Sequence, residues 1–290
     1  MAARSKPSRP GSKARVAPRR GEERKPCALA IAGLDPGGGA GILADARAFQ
    51  AAGAFPCAVA AVLTVQSTSG MRDSKAVLSK LVLAQATEVL RHQHVRAIKI
   101  GALGSAANVR AVGDWLAIHR DLPAIVDTVM LPTRGRARLL DAAGVRALRE
   151  SLVPRAALVT ANAPEAEVLT GRRVTRVSEA HDAAIALVRM GAKMALVKGG
   201  HIAGPSAIDV LAAGDEVVEL RAARLAIPST HGGGCVLSSL IAGKIAVDPR
   251  VYEVGGGELV TDALRWAKRV HHQALAKAVS VGGDLAVLLG

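Results

Sequence analysis

The sequence predicts an α/β fold, a mostly parallel sheet covered by helices on both faces. Three observations carry this. From residue 27 onward, short apolar runs alternate with amphipathic stretches, the rhythm of strand–helix–strand crossovers. The runs are continuous in Ala, Val, Ile and Leu, as strands buried on both faces are. Most of them end in glycine or a polar residue, at the position where open parallel sheets meet their ligands.

Taken in order, CALAIAG (27–33) reads as the first buried strand. AGILADARAFQAAG (40–53) follows as a helix, because its apolar positions recur at three and four residues. AVAAVLTVQ (58–66) is the second strand. AIKIGALG (97–104), AIVDTVM (124–130), AALVTAN (156–162) and MALVKGG (194–200) are further strands. Helical patterning falls between them, at roughly 84–93, 107–119, 141–152, 164–170 and 178–191. IDVLAAGDEVVEL (208–220), with Gly214-Asp215 at its centre, reads as a hairpin. Helices at about 234–245 and 259–279 close the chain, with Gly255–Gly257 as a connection before the last one.

Half of the 290 residues are apolar, enough for a core of domain size. Charged residues interrupt every apolar stretch before the ~18 residues that a membrane span needs. The run 27–34 is too short for a signal peptide and ends in Asp35-Pro36, so the chain is expected to be cytoplasmic. Three cysteines far apart match neither a disulfide framework nor a zinc spacing, and Cys27 and Cys57 read as small buried hydrophobes. Of the net charge of +14, half lies in residues 1–26, where nine Lys or Arg face two Glu. That segment, rich in Ser, Pro, Gly and Arg, is expected to be a disordered basic tail ahead of one unit spanning 27–290. It is either a solvated leader or a polyanion-binding arm. With five aromatic residues in the whole chain, base-stacking on nucleic acid is disfavoured.

The chemistry concentrates at strand ends and in STHGGGCVLSS (229–239). Gly232, Gly233 and Gly234 let the backbone approach a ligand, and the helix behind them offers free N–H groups and the positive end of its dipole: an anion hole. It fits neither the Walker A pattern nor the dinucleotide fingerprint. A cysteine at a helix N-terminus is expected to have a lowered pKa, so Cys235 is a candidate to take the proton of a hydroxyl attacking a phosphate held above it. The competing reading is a small residue packing the helix start. The other strand ends present Asp35, Gln66, Asp127, Asn162 with Glu165, and Lys198 with Gly200. His92, His94, His271 and His272 lie on polar helix faces and read as surface histidines, and Asp35 has the plain alternative of a turn residue before Pro36.

Seven segments, ALAIAGLDPGGGAGILAD, LTVQSTSG, KIGALGS, IVDTVMLPTRG, LVTANAPEAEVLTG, VKGGH and STHGGGCVLSS, occur together over about residues 28–280. In order and spacing they resemble the hydroxymethylpyrimidine/phosphomethylpyrimidine kinases of thiamine biosynthesis. The resemblance implies a ribokinase-like three-layer α/β/α sandwich and a cytoplasmic, commonly homodimeric enzyme. It implies transfer of the ATP γ-phosphate to 4-amino-5-hydroxymethyl-2-methylpyrimidine and then to its monophosphate, with Mg²⁺. It gives Cys235 the catalytic position, the three glycines the anion hole, Asp35 and Gln66 the aminopyrimidine, Asn162, Lys198 and Gly200 the ATP phosphates, and Glu165 and Asp127 the metal.

The chain departs from the family pattern at several points. Gly233 stands where Thr is usual, and Val236 replaces a Thr, removing a phosphate contact. Ala102 replaces a Met and reshapes the pyrimidine pocket. Thr133-Arg134-Gly135-Arg136 replaces a Lys-Ser-Gly-Asp loop, and the C-terminus lacks the Gly-His-Gly-Pro-like close. The runner-up readings are a pyridoxal kinase of the cysteine-containing branch and a non-catalytic pyrimidine-binding regulator.

Overall fold

The first buried run becomes β1 (Cys27–Leu34), the strand about which the sheet is organised. The computed structural model describes residues 24–290 except 132–133, 135–138, 228, 249, 251–256 and 290. Parallel to β1 on its two sides lie β2 (Phe55–Ser67) and β4 (Val95–Ile100). Parallel pairing continues through β5 (Ala124–Asp127), β6 (Leu158–Asn162) and β7 (Met194–Lys198). β3 (Gly70–Ala76) turns back antiparallel on β2 at one edge, and β8 (Ser206–Ala213) and β9 (Glu216–Ala223) do so beyond β7 at the other. The order is β3-β2-β1-β4-β5-β6-β7-β8-β9.

Helices cover both faces. On one, α1 (Gly41–Ala51), α7 (Gly233–Val247) and α8 (Gly257–Ala276) pack around Phe49, Leu240, Ile241 and Leu264. On the other, α2 (Ser79–His92), α3 (Ala106–Ile118), α4 (Ala142–Ala147), α5 (Ala163–Thr170) and α6 (Val177–Arg189) enclose Ile98, Val109, Leu152 and Leu187. α7 is buried along nearly its whole length, because α1, α8 and the sheet surround it, and its sequence accordingly lacks a polar face. The result is the expected α/β/α sandwich. β1 leads through α1 to β2 on one side, whereas the next crossover, through α2, places β4 on the other. The strand order therefore reverses at β1, and a crevice opens there at the carboxyl ends.

The expected strands and helices are all present, with shifted ends. β2 and α2 start earlier than their periodicity indicates, and β4, β5 and β7 stop at 100, 127 and 198, leaving their polar ends as loops over the crevice. The expected helix 141–152 is α4 running into a π-turn (Leu148–Leu152). The hairpin is β8–β9, with Gly214 at φ +60° in its turn. β3 is an addition to the expected strands: GMRDSKA is polar, as an edge strand can be. So is the pairing of β10 (Thr230–His231) with β11 (Ala286–Val287), which draws the C-terminal segment beside the approach to α7. Cys27 and Cys57 are buried in the sheet, as expected.

The basic tail falls outside the described residues as far as residue 23. The chain is tied to the sheet before residue 27, since the Pro26 carbonyl accepts from Phe55 N–H at 2.8 Å. Most of the 133–136 loop and Gly255–Gly256 also lie outside the described residues.

Candidate active site

The carboxyl ends of the parallel strands and the start of α7 line one cleft of about 780 Å³. Every residue given a site role from the sequence borders it: Asp35, Gln66, Asp127, Asn162, Glu165, Lys198, Gly200, Gly232, Gly233, Gly234 and Cys235. Ala102 borders it too, whereas Val236 is fully buried in the core under α7, so the side chain at that position faces away from any phosphate.

At the end of β1, the Asp35 carboxylate accepts from Gly37 N–H and Ala40 N–H, each at 2.9 Å, and lies 2.8 Å from His231 Nε2. Burial pushes its pKa up, but these partners, His231 foremost, outweigh burial and hold it below the usual value. Asp35 organises the turn, as its plain alternative expects, and it lies on the cleft wall. Gln66, on β2, lies 2.9 Å from the same His231 nitrogen.

α7 begins at Gly232, whose φ of +75° is left-handed; a Cβ there would stand 2.1 Å from the Gly39 carbonyl. Only glycine fits. The N-terminus has no side-chain cap, so its N–H groups face the cleft, and the Lys198 ammonium reaches over it, 2.9 Å from where a Gly234 Cβ would be. Lys198 is held by Asp127 Oδ1 at 2.8 Å. Burial disfavours its charge, yet Asp127 and Glu165 raise its pKa to about 12. A buried cation above a helix N-terminus is a strong site for phosphate.

Cys235, at the third position of α7, corrects the expectation of a lowered pKa. Burial drives it up to about 12; Lys99 and Lys198 pull it down, but Asp127 and Asp45 push it further up. In the free chain the group is a thiol at neutral pH. Burial and two carboxylates outweigh the helix dipole.

Asn162 and Glu165 form a reciprocal capping box on α5: Glu165 N–H donates to Asn162 Oδ1, and Asn162 N–H to Glu165 Oε2, both at 2.9 Å. Burial lifts the Glu165 pKa to about 7, against the pull of Lys198. Asp127 accepts from Lys198 and from Thr160 on Oδ1, and its Oδ2 is buried without a partner among the described residues. Gly200 gives its carbonyl to Arg224 at 2.9 Å.

The structure adds residues the sequence reading missed. Lys99, fully buried in β4, pairs with Asp45 Oδ1 of α1 at 2.8 Å, and Ser239 of α7 donates to the same oxygen at 2.7 Å. Its signal was available, since a lysine inside an apolar strand needs a partner. Asp209 accepts from Gly199 N–H at 2.8 Å and from Lys268 at 2.6 Å. His271 corrects the surface reading: it lines the cleft one turn from Lys268, with Nε2 buried and unpartnered among the described residues. Burial pushes its pKa down to about 4. His272 also lines the cleft, with Nε2 2.9 Å from the Ala223 carbonyl. His92 is exposed beside Glu88, and the His94 ring meets the Arg24 carbonyl at 3.3 Å.

The sequence profile of the family described as phosphomethylpyrimidine kinase matches residues 35–287. A Rhizobium meliloti hydroxymethylpyrimidine/phosphomethylpyrimidine kinase is 39% identical over 253 residues, covering 87% of this chain and 91% of the relative. The phosphomethylpyrimidine kinase of Clostridium difficile superposes with a TM-score of 0.72 at 30% identity, covering 86% of this chain and 99% of that one. Pyridoxal kinase of Bacillus subtilis, solved as an ADP complex, superposes with a TM-score of 0.79 at 25% identity over 91% of this chain and 96% of its own. On the extent of the profile match and of the alignment with the Rhizobium enzyme, the chain belongs to the phosphomethylpyrimidine kinase family.

Proposed function

We propose that this chain uses ATP to phosphorylate 4-amino-5-hydroxymethyl-2-methylpyrimidine and then its monophosphate, for thiamine biosynthesis. The observation that carries the reading is the α7 N-terminus with Lys198 above it and Cys235 within it, at the end of a cleft whose far wall is Asp35, His231 and Gln66. The pyrimidine lies against Gln66 and Ala102. The nucleotide lies toward Leu225, Ile227 and Leu275, apolar residues that line the cleft beyond Gly200. The ADP complex of the Bacillus relative supports that choice of nucleotide.

The substrate hydroxyl oxygen forms a bond to the γ-phosphorus as the bond from phosphorus to the departing ADP oxygen breaks. The hydroxyl proton passes to Cys235 Sγ in its thiolate form, the minor fraction at neutral pH. Lys198 and the α7 N–H groups hold the charge that moves onto the transferring phosphoryl oxygens, and this positioning supplies most of the catalysis. The residues present fit Mg²⁺. That ion takes one or two carboxylates, with water and phosphate filling the remaining positions, and Asp127 offers an unpartnered buried oxygen beside Glu165. Bound there, it would neutralise phosphate charge.

Residues from 27 onward act as one catalytic unit in the cytoplasm, with the basic tail as an appendage. Among the described residues no helix is long and apolar enough to cross a membrane. Leu63 and Val65 on β2, with Leu78 and Leu81 at the start of α2, are exposed and support a homodimer.

The test is ATP turnover by the purified chain with the hydroxymethylpyrimidine, its monophosphate and pyridoxal offered separately, beside Cys235→Ala. Turnover on the first two, lowered at least about a hundredfold in the variant, supports the reading. Turnover on pyridoxal alone replaces it with pyridoxal kinase, and turnover on none with a binding protein.

A further inference from the structure

His231 stands where β10, the loop after β1 and the end of β2 meet, and its Nε2 faces two groups at once: Asp35 Oδ2 at 2.8 Å and the Gln66 side-chain amide at 2.9 Å. Those neighbours determine where the hydrogens lie. Asp35 is 2% exposed, and its two oxygens already accept backbone N–H bonds from Gly37 and Ala40. A carboxylate so held offers only lone pairs, so the imidazole nitrogen against it carries a hydrogen, whatever the charge of the ring. The second ring nitrogen, Nδ1, is buried without a partner among the described residues, which places the single hydrogen of a neutral ring on Nε2 as well. A nitrogen carrying a hydrogen has no lone pair with which to accept from an NH₂ group. The structure sets Gln66 Nε2 against this N–H, donor against donor, and exchanging the two ends of the amide puts the carbonyl oxygen there instead. The two ends of an amide have the same shape and are told apart by their partners.

We propose that Asp35 and His231 are positioning residues that lock Gln66 with its carbonyl on His231 and its NH₂ group in the cleft, so that the site selects aromatic alcohols presenting a hydrogen-bond acceptor, such as an unprotonated ring nitrogen, at that edge. Asp35 then serves the substrate at one remove: its oxygens hold the turn and the imidazole, and Gln66 makes the contact. A ring offering N–H at the same edge meets donor against donor and is rejected, because a buried group left unpaired costs more than a bond gained. This deepens the kinase reading and rests on it for the identity of the ligand, although the arrangement of the three side chains does not depend on it.

Two measurements test it. Long-range ¹H–¹⁵N NMR of the full chain labelled with [¹⁵N]histidine, with His231 assigned by the signal lost in His231→Gln, reads which ring nitrogen bears the hydrogen. A protonated Nε2 is expected; an unprotonated Nε2 overturns the proposal without reference to any substrate. Steady-state kinetics then test recognition. Gln66→Glu keeps the size and removes the donors. It should raise KM for the hydroxymethylpyrimidine about tenfold, with kcat changed by less than about threefold. His231→Gln, whose amide still donates to Asp35 and Gln66, should stay within about threefold of the parent KM, whereas His231→Leu, which frees the Gln66 amide to turn, should behave like Gln66→Glu. An unchanged KM in Gln66→Glu overturns the recognition role. A parent chain inactive on the pyrimidine sinks the kinase reading and the substrate edge with it, while the NMR result still decides the arrangement of the three side chains.

Discussion

Cys235 is the residue at which position in the sequence and position in space disagree. A cysteine after three glycines at a helix start is a thiolate by local rules, but Asp127, Asp45 and burial keep this one a thiol, pushed up to about 12. If it receives the substrate proton, kcat/KM should climb by about tenfold per pH unit from neutrality into the alkaline range, as the thiolate fraction does. Cys235→Asp, which supplies an acceptor ionised at lower pH, should retain turnover and flatten that limb; a pH–rate profile of both chains decides. Glu165 gives a second prediction, for stability. Its pKa is about 7 in the folded chain against an ordinary value of 4.5, so the folded state holds the proton more tightly than the unfolded one. Stability from this group is full below about pH 4.5 and is lost as pH rises through 7, by roughly 3 kcal/mol at most. The melting temperature should fall between pH 5 and pH 8, and Glu165→Gln should remove much of that fall. The charged site residues were legible one by one, because strand ends name them. Their mutual effects were not, because Lys99, Asp45 and Ser239 come together from β4, α1 and α7.

The start of α7 shows what an element contributes beyond its residues. Gly232 fixes the turn that aims the helix, and Gly234 leaves room for Lys198. The two glycines should therefore fail differently. Gly232→Ala puts a side chain at φ +75° against the Gly39 carbonyl and should cost at least about 2 kcal/mol in denaturant unfolding. Gly234→Ala meets only the movable end of Lys198, so stability should change little while KM for ATP rises as the ammonium is displaced. Equal losses of stability in the two variants would count against this account. α1 and α6 were readable because they carry their own periodicity, and the buried strands because their apolar runs are continuous. β3 and the β10–β11 pair were not, since β3 is polar and the two-residue strands exist only because distant segments meet. The Asn162–Glu165 pair carried two meanings at once, a helix cap and a phosphate-side element. The structure displays the first; for the second, Asn162→Ala should lower turnover with ATP beyond what its expected loss of about 1 kcal/mol of stability explains, as steady-state kinetics beside denaturant unfolding would read.

For the whole molecule, the question is how surfaces outside the cleft are used. Half of the net charge lies in residues 1–26, of which 1–23 are outside the described residues. The apolar surface is more informative. On β2, Leu63 and Val65 are 49% and 57% exposed and, two residues apart, share one side of the strand. β2 takes up an extra residue at Ala61, so the alternation that buries Val59 does not carry through to Leu63, which pairs with Leu34 of β1. Leu78 and Leu81, at the start of α2, are 80% and 53% exposed. An isologous contact would let this patch bury its counterpart in a second copy, each leucine on one protomer answering one on the other. Sedimentation should then give twice the 29.7 kDa chain mass. Leu63→Asp with Val65→Asp should return the single-chain mass with unchanged far-ultraviolet circular dichroism, because both side chains lie outside the core and two buried like charges would face their copies across the contact. A parent chain that sediments as a monomer at micromolar concentration, or a double variant that keeps the doubled mass, would remove β2 from the interface.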